Sequence, residues 1–295
     1  MKELVIISGK GGTGKTSVAA AFAYLAGDKA IIADCDVDAA DMHLLLKPEM
    51  SDGEDFYSGV LAVIDQDKCI GCGECAEVCR FDAVKEEEGD YNVIPLECEG
   101  CGYCARICPE EAIDMPLQNV GKWYDSGIKS GSRMIHAKLG IGAENSGKLV
   151  AHVKKAARKL AEDGDKDFII VDGSPGVGCP VVSSLSGADY VVLVTEPSVA
   201  GIHDLKRVHE LVSNHQIKAG CIINKYDLNE GKTAEIEEFL KNEGIALLSL
   251  IPYNEDFTRA MTVGKTIVEY GDSELSDIII ESWERVRGAV EDLQV

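Results

Sequence analysis

Short apolar runs alternate along most of the chain with longer amphipathic segments. The runs cover residues 4–7, 30–33, 168–171 and 221–223. Runs of this length are typical of strands buried on both faces of a parallel sheet. Apolar positions at helical spacing predict helices over residues 17–27, 147–162, 202–214, 233–242 and 276–295. The alternation of strands and helices over residues 1–50 and 145–295 predicts an α/β fold with a doubly wound, mostly parallel sheet.

The last predicted helix has an acidic polar face. Its apolar positions are Ile279, Trp283, Val286, Val290 and Leu293, and its other face carries more carboxylates than arginines. Because anionic membranes bind basic helices, this helix is expected to pack on the sheet and not to anchor the chain.

Residues 116–145 do not follow the alternating pattern. A hairpin is predicted there, with strands around Trp123 and His136 joined by residues 127–131. Residues 142–148 are rich in turn formers, and Ser146 is a candidate cap for the following helix. His136 has a structural interpretation and a site interpretation, and the structural one is favoured.

Eight cysteines form two copies of the pattern C-x2-C-x2-C-x3-C, the second shifted by 29 residues. In such patterns each run supplies three thiolates to one iron–sulfur cluster and the fourth to the other. The predicted ligands of the first [4Fe–4S] cluster are Cys69, Cys72, Cys75 and Cys108. Those of the second are Cys98, Cys101, Cys104 and Cys79.

Zinc and disulfides are the alternative uses of these cysteines. Zinc sites usually take two separated pairs of ligands, and disulfides need an oxidising compartment, so the spacing favours [4Fe–4S] clusters. Residues 59–115 resemble bacterial two-cluster ferredoxins, with Pro109 after Cys108 but Arg80 where the motif has a second proline. The resemblance implies a small inserted α+β domain over residues 59–115, between residues 1–58 and 116–295 of the larger domain.

The first apolar run leads directly into residues 9–16, which match the phosphate-binding pattern G-x4-G-K-[ST]. Backbone amides of such a loop enclose a triphosphate, Lys15 would contact its β- and γ-phosphates, and the Thr16 hydroxyl would bind Mg²⁺. The predicted nucleotide-binding residues are Gly11, Gly12, Thr13, Gly14, Lys15, Thr16 and Ser17.

Lys10, near the start of this loop, narrows the class of ATPase. The stretch KGGTGKT resembles the deviant Walker A loop of the MinD, ParA and nitrogenase iron protein group. The resemblance implies an ATP-dependent homodimer in which Lys10 reaches the nucleotide site of the partner subunit and takes part in catalysis. The alternative is that Lys10 contacts phosphate within its own subunit.

Two further predicted strands end in aspartates that fit the switches of this group. Asp34 and Asp36 follow the second apolar run, and Asp172 ends the third. The resemblance implies that Asp36 orients or deprotonates the attacking water. It also implies that Asp34 supports Mg²⁺ near Thr16 and that Asp172 acts on a Mg²⁺-bound water.

The residues that would contact the base do not decide between adenine and guanine. Asn224 begins the sequence N-K-x-D, which ends at Asp227 and suits guanine, because a carboxylate accepts from two guanine donors. Pro252 begins the predicted base-covering loop. The overall resemblance is to ATPases, so ATP is the favoured nucleotide and GTP the alternative.

Three cysteines lie outside the two runs. Cys179 lies seven residues after Asp172, an offset at which the nitrogenase iron protein has a bridging-cluster cysteine. Two copies of Cys179 facing each other across a dimer could therefore hold a metal, although a buried structural role is the alternative. Cys35 and Cys221 are interpreted as core residues.

Charge and hydropathy limit the possible partners. The chain has 295 residues and a formal net charge of −22, which disfavours sequence-independent nucleic-acid binding through phosphate contacts. No apolar stretch approaches the length of a membrane helix, and the chain opens without a secretory signal pattern. A cytoplasmic protein that binds neither membranes nor nucleic acid is expected.

Over essentially the whole chain, the two motif sets resemble the branch of MinD-like ATPases that carries an inserted ferredoxin domain. The resemblance implies a Mg²⁺-dependent ATPase, slow without its partner. It would couple dimer switching to electron transfer, or to metallocluster assembly, on a redox or metallocluster-bearing partner protein. The alternatives are an iron–sulfur cluster carrier of the Mrp type and a positioning switch with structural clusters. A ferredoxin with an inactive nucleotide domain is a third.

Overall fold

The predicted α/β alternation is present in a computed structural model of the protein, which describes residues 1–49, 52–140, 146–271 and 274–292. The chain divides into two units. The first comprises Met1–Glu54, Lys122–Lys138 and Ser146–Val295, and the second comprises Asp55–Gly121 and Leu139–Asn145. The eight cysteines of the two runs therefore belong to the second unit.

The strands in the described ranges are numbered in chain order. They are β1 (Lys2–Ile7), β2 (Ala30–Asp34), β3 (Glu54–Val60), β4 (Val63–Ile64), β5 (Val84–Glu87), β6 (Asp90–Val93), β7 (Ile113–Asp114), β8 (Leu117–Gly127), β9 (Arg133–Leu139), β10 (Phe168–Asp172), β11 (Tyr190–Thr195), β12 (Lys218–Asn224) and β13 (Ala246–Ile251).

The α-helices in the same ranges are numbered likewise. They are α1 (Lys15–Ala26), α2 (Met42–Leu46), α3 (Glu74–Glu77), α4 (Tyr103–Ile107), α5 (Ser146–Asp163), α6 (Cys179–Leu185), α7 (Val199–Asn214), α8 (Glu230–Glu243), α9 (Asp256–Thr262), α10 (Ile267–Tyr270) and α11 (Glu274–Glu291). None of them combines the length and apolar character that crossing a bilayer requires.

The sheet of the first unit is parallel from β13 to β9, in the order β13-β12-β11-β1-β10-β2-β9. The central strand β1 pairs with both β10 and β11, and Asp172 at the end of β10 is in register with Asp34 at the end of β2. The carboxyl ends of these parallel strands meet at one edge, where ligands of open α/β sheets usually bind.

Helices cover the sheet because alternate residues of its strands face opposite ways. Leu4 and Ile6 of β1 belong to a core formed with residues of α1 and α11. Trp283 of α11 fills this core between two aromatic rings, with centroid distances of 5.3 Å to Phe22 and 5.5 Å to Phe168. The predicted packing of the last helix on the sheet is thereby confirmed, while Leu293 lies outside the described residues.

Several helices begin earlier than the sequence pattern predicts. Helix α1 begins at Lys15 and not at residue 17, and α7 begins at Val199 because the Ser198 hydroxyl accepts the amide of Gly201 at 3.0 Å. Ser146, predicted to cap α5, is its first described residue. The predicted loop over residues 142–148 lies largely outside the described ranges.

The predicted hairpin of residues 116–145 is confirmed. Strands β8 and β9 are adjacent and are joined by residues 128–132, where the amide of Ile128 donates to the carbonyl of Ser132 at 3.0 Å. His136 on β9 is 5% exposed, lies 3.0 Å from the Ser126 hydroxyl and stacks on Tyr124 with a centroid distance of 4.9 Å. Burial lowers the pKa of His136 to about 4, so the ring is neutral at neutral pH, and its packing agrees with the favoured structural interpretation.

The second unit repeats one arrangement twice. Strand β4 pairs with β7 and β5 with β6, both antiparallel. Ile64 pairs with Ile113 in one strand pair, and Val93 pairs with Val84 in the other. Val93 lies 29 residues after Ile64, and Ile113 lies 29 residues after Val84, so the register is the same in both halves. The two cysteine runs therefore lie in equivalent local structures, around a core that includes Ala62, Cys75, Val84 and Ile113.

Candidate functional site

The phosphate-binding loop, residues 9–16, connects β1 to α1 at the carboxyl edge of the sheet. Gly14 precedes the helix with φ of 91°, and a Cβ at this position would collide with the side-chain amide of Asn224. The Ser8 hydroxyl donates to the carbonyl oxygen of Lys10 at 2.8 Å, and the amide of Gly176 donates to the carbonyl of Ser8 at 2.9 Å. The loop thus precedes the N-terminus of a 12-residue helix, where backbone amides stabilise an anion.

Lys15 lies within a buried acidic cluster. Its ammonium nitrogen is 2.6 Å from Oδ1 of Asp172 and 3.3 Å from Oδ2 of Asp36. Burial opposes a charge on Lys15, but the carboxylates of Asp172, Asp36 and Asp34 outweigh it and raise the pKa of Lys15. Lys15 is therefore cationic at neutral pH and neutralises part of the charge of the cluster.

Asp34 and Asp172 each have one carboxyl oxygen without a hydrogen bond among the described residues. In both residues this oxygen is a buried Oδ2, and each residue is 1% exposed. Burial, followed by repulsion from Asp172, raises the pKa of Asp34 well above its usual value, and burial also raises the pKa of Asp36. Three carboxylates thus face one lysine, with the Thr16 hydroxyl 3.3 Å from its nitrogen. Hard oxygen donors with excess negative charge are the ligands that Mg²⁺ prefers.

Lys10 and Lys225 share the carboxylate of Glu196. The distances are 2.5 Å from Lys10 to Oε1 and 2.9 Å from Lys225 to Oε2. Burial favours the neutral form of Glu196, but hydrogen bonds from the two lysines prevail and lower its pKa. The sequence patterns did not identify Glu196, although it directly follows β11 and so shares the edge where Asp34 and Asp172 lie.

The residues predicted to contact the base are engaged with the backbone. Nδ2 of Asn224 donates to the carbonyl of Thr13 at 2.8 Å, and Oδ1 of Asp227 accepts the amide of Tyr253 at 2.6 Å. Pro252 follows β13 directly and is half-buried. The structure therefore connects Asn224 to the phosphate-binding loop, and connects the N-K-x-D segment to the segment that follows β13.

The eight clustered cysteines line two cavities in the second unit. Cavity 1 is lined by Cys69, Cys72, Cys75 and Cys108, among other residues. Cavity 2 is lined by Cys79, Cys98, Cys101 and Cys104, among other residues. Each cavity takes three cysteines from one run and one from the other, which is the grouping that the spacing predicts.

The surroundings of the two cavities match. Burial raises the pKa of Cys75 and Cys104, the third cysteine of each run, while a backbone hydrogen bond to each thiol acts in the opposite direction. The amide of Ala112 donates to Sγ of Cys108 at 3.4 Å. Helices α3 and α4 follow Gly73 and Gly102, whose φ angles are 77° and 72°. Amide donors of this kind stabilise the thiolate that a metal requires.

The four cysteines of each set are spread around a cavity and do not converge on one point. No group of three or more Cys, His, Asp or Glu side chains in the described ranges converges where a single metal ion could bind. In a [4Fe–4S] cluster each thiolate binds a different iron, so four ligands are expected to be spread around a cavity. Four thiols around each of two cavities are a donor set that a [4Fe–4S] cluster would fit.

The remaining cysteines divide into buried and exposed ones. Cys35 and Cys221 are 0% exposed, and burial raises the pKa of both thiols, which confirms the core interpretation. Cys179 is exposed as the first residue of α6. Its predicted role at a dimer interface stays a prediction.

Comparison with known proteins identifies the family. Residues 4–267 match the CobQ/CobB/MinD/ParA nucleotide binding domain (CbiA). Because this match extends over most of the chain, the protein belongs to this family of P-loop nucleotide-binding proteins.

Individual relatives agree with this assignment. The chain is 31% identical to Uncharacterized protein MJ0578 of Methanocaldococcus jannaschii, over 97% of this chain and 96% of that protein. It is 24% identical to the iron-sulfur cluster carrier protein of Pyrococcus furiosus, over 48% of this chain and 53% of that protein. Its fold is similar to that of the septum site-determining protein MinD of Pyrococcus horikoshii, solved with Mg-ADP. That similarity has a TM-score of 0.60 at 19% identity, and covers 99% of this chain and 98% of the other.

Proposed function

We propose that the protein binds and hydrolyses MgATP, holds two [4Fe–4S] clusters, and uses nucleotide-driven dimerisation to control electron transfer to, or metallocluster assembly on, a partner protein. The observation that carries the proposal is that one chain combines a P-loop with a buried carboxylate cluster and two cavities that are each lined by four cysteines. The family assignment and the similarity to a MinD protein solved with Mg-ADP support the nucleotide half.

At the nucleotide site, the phosphates replace the carboxylates as partners of Lys15. The Lys15 ammonium would turn from Asp172 and Asp36 toward the β- and γ-phosphates. The Thr16 hydroxyl, Asp34 and Asp172, whose Oδ2 atoms accept no hydrogen bond among the described residues, would hold Mg²⁺, which neutralises phosphate charge. Asp36, released from Lys15, orients the water that attacks the γ-phosphorus as the bond to the β–γ bridging oxygen breaks.

Lys10 links the site to dimerisation. In the single chain its charge is satisfied by Glu196, at 2.5 Å. In the dimer, Lys10 leaves this carboxylate and contacts the phosphates bound to the partner subunit, which supply more negative charge than one glutamate. Because Lys10 binds Glu196 in the single chain and the nucleotide phosphates of the partner subunit in the dimer, dimerisation depends on ATP.

The cysteine sets hold the two clusters. Cys69, Cys72, Cys75 and Cys108 line the first site, and Cys98, Cys101, Cys104 and Cys79 line the second. When bound, a [4Fe–4S] cluster supplies one-electron redox chemistry at a low potential. The amide of Ala112 donates to Sγ of Cys108 and so favours its thiolate, and the apolar core limits the access of water.

Anaerobic purification followed by EPR tests the proposal. We expect about eight irons and eight sulfides per chain, two [4Fe–4S] signals after dithionite reduction, and a change in signal or midpoint potential when MgATP is added. The matched control is Lys15→Ala, which should keep the iron but lose the response to MgATP. Iron bound without any such response would show that the nucleotide does not act on the clusters.

Cluster delivery is a second candidate function, favoured by the similarity to an iron-sulfur cluster carrier protein. One cysteine in each cavity, Cys72 and Cys101, is exposed to solvent. A carrier would lose iron and sulfide to an apo-acceptor protein in the presence of MgATP, whereas an electron carrier would keep both. Measuring iron on each protein after separation distinguishes the two functions.

A further inference from the structure

Lys225 is the lysine of the N-K-x-D segment, and the prediction of base contacts leaves it without a role. It follows β12 directly and has φ of 56°, in the left-handed region that residues with a side chain seldom adopt. Its backbone amide donates to Oδ1 of Asn224 at 3.0 Å, and Nδ2 of Asn224 donates to the carbonyl of Thr13 at 2.8 Å. Such a conformation persists where surrounding contacts hold it, and here Asn224 ties it to the phosphate-binding loop.

The Lys225 side chain bridges this loop and Glu196. Its Nζ donates to the carbonyl of Gly12 at 3.0 Å and to Oε2 of Glu196 at 2.9 Å. Lys10 occupies the other carboxylate oxygen, Oε1, at 2.5 Å, and its Nζ lies 3.3 Å from the Ser198 hydroxyl. Lys225 thus holds loop backbone as well as the carboxylate, whereas these two contacts of Lys10 are to side chains. Lys10 is therefore the lysine that can leave Glu196 by rotation of its side chain alone.

The charge of Glu196 makes the second lysine important when the first one moves. Burial opposes ionisation of Glu196, but hydrogen bonds from Lys10 and Lys225 lower its pKa, so it is an anion at neutral pH. A partly buried carboxylate that has lost its cations is unfavourable, and beside a phosphate-binding loop it would also repel the nucleotide. With Lys225 in place, the departure of Lys10 leaves Glu196 paired and hydrogen-bonded.

We infer that Lys225 is a positioning residue for nucleotide-driven dimerisation: it keeps Glu196 paired, and so allows Lys10 to leave this carboxylate for the nucleotide of the partner subunit. This inference rests on the proposed function, because it takes Lys10 to change partners when the dimer forms. It gives the lysine of the N-K-x-D segment a role that does not depend on the base.

A double-mutant cycle between Lys225 and Glu196 tests the inference. Sedimentation with saturating MgATP gives the association constant of the dimer for each variant. We expect Lys225→Met to lower this constant roughly ten-fold or more, because departure of Lys10 then removes the second of the two lysines that pair with Glu196 in each subunit. In Glu196→Gln there is no charge for Lys225 to balance, so adding Lys225→Met to Glu196→Gln should change the constant less than about two-fold.

Three further variants identify what the Lys225 side chain contributes. Lys225→Gln can still donate to the carbonyl of Gly12 but carries no charge, and it should show the same loss as Lys225→Met. Lys225→Arg keeps the charge and the donors, and should stay within about three-fold of the wild type. The matched control, Lys2→Met, removes a lysine of similar side-chain exposure, 22% against 27%, from a pair with Asp189 at the amino end of β1. It should change the constant less than about two-fold.

The outcomes separate this inference from the function on which it rests. No loss in Lys225→Met, no loss in Lys225→Gln, or a full loss from Lys225→Met in the Glu196→Gln background would each overturn the inference. The last result would mean that Lys225 acts through the loop backbone alone. If Lys225→Met does not fold, Lys225→Gln supplies the same comparison. A wild-type protein that stays monomeric with MgATP would instead refute the proposed dimerisation itself, before any variant is compared.

Discussion

Replacing Lys15 by methionine tests how the buried cluster around this residue balances its charge. The lysine nitrogen lies 2.6 Å from Asp172 and 3.3 Å from Asp36, and the cluster is almost fully buried. At an effective dielectric constant of about 20, these two distances correspond to gross attractions of roughly 6 and 5 kcal/mol. Desolvation of the charges offsets much of this energy, and removing one partner of a buried pair typically costs about 3–5 kcal/mol. We expect a loss of that size in the free energy of unfolding.

The loss of stability in Lys15→Met should become larger as the pH rises. Burial already raises the pKa values of Asp34 and Asp36, and removal of the Lys15 cation would raise them further. A carboxyl with a raised pKa stabilises the folded state when protonated, and this stability is lost as pH rises through the folded-state pKa. The difference between Lys15→Met and the wild type should therefore be small at acidic pH and large at mildly alkaline pH, measured by urea unfolding.

Lys154→Met is the matched control. Lys154 is equally buried and lies 2.5 Å from Glu3, in an ion pair that is separate from the cluster around Lys15. Both variants should be destabilised, but millimolar Mg²⁺ should restore stability only to Lys15→Met, where a divalent cation can replace the missing charge. Equal stability of Lys15→Met and the wild type at alkaline pH, or equal rescue of both variants, would refute the reasoning.

Three other changes have expected outcomes. Glu196→Gln weakens a partly exposed pair with Lys10 by about 1 kcal/mol in each subunit. Because a dimer releases two such pairs, its association constant with MgATP should rise roughly 30-fold in sedimentation, and an unchanged constant would contradict this. Trp283→Ala should lower the free energy of unfolding by about 3–5 kcal/mol, and a loss below 1 kcal/mol would mean that the aromatic cluster is dispensable. His136 has a folded-state pKa of about 4, so its share of stability is present above the unfolded pKa of about 6.5 and is lost as pH falls toward 4. His136→Gln should flatten this part of the stability profile, and an unchanged slope would contradict the assignment.

The strands and most helices followed from the sequence because buried parallel strands need continuous apolar runs, which local patterns reveal. Helix starts were less well determined. The start of α7 depends on the Ser198 cap, and that of α1 on the conformation of Gly14, both of which lie outside the apolar pattern.

The amino-acid sequence by itself determined the candidate residues for the chemistry, because the phosphate-binding loop and the cysteine runs are contiguous and their spacing is set by backbone geometry. Only the tertiary structure decided which of them meet. The parallel register places Asp34 beside Asp172 across two strands that are far apart in the chain, and β11 delivers Glu196 to Lys10. Such pairings depend on strand order in space.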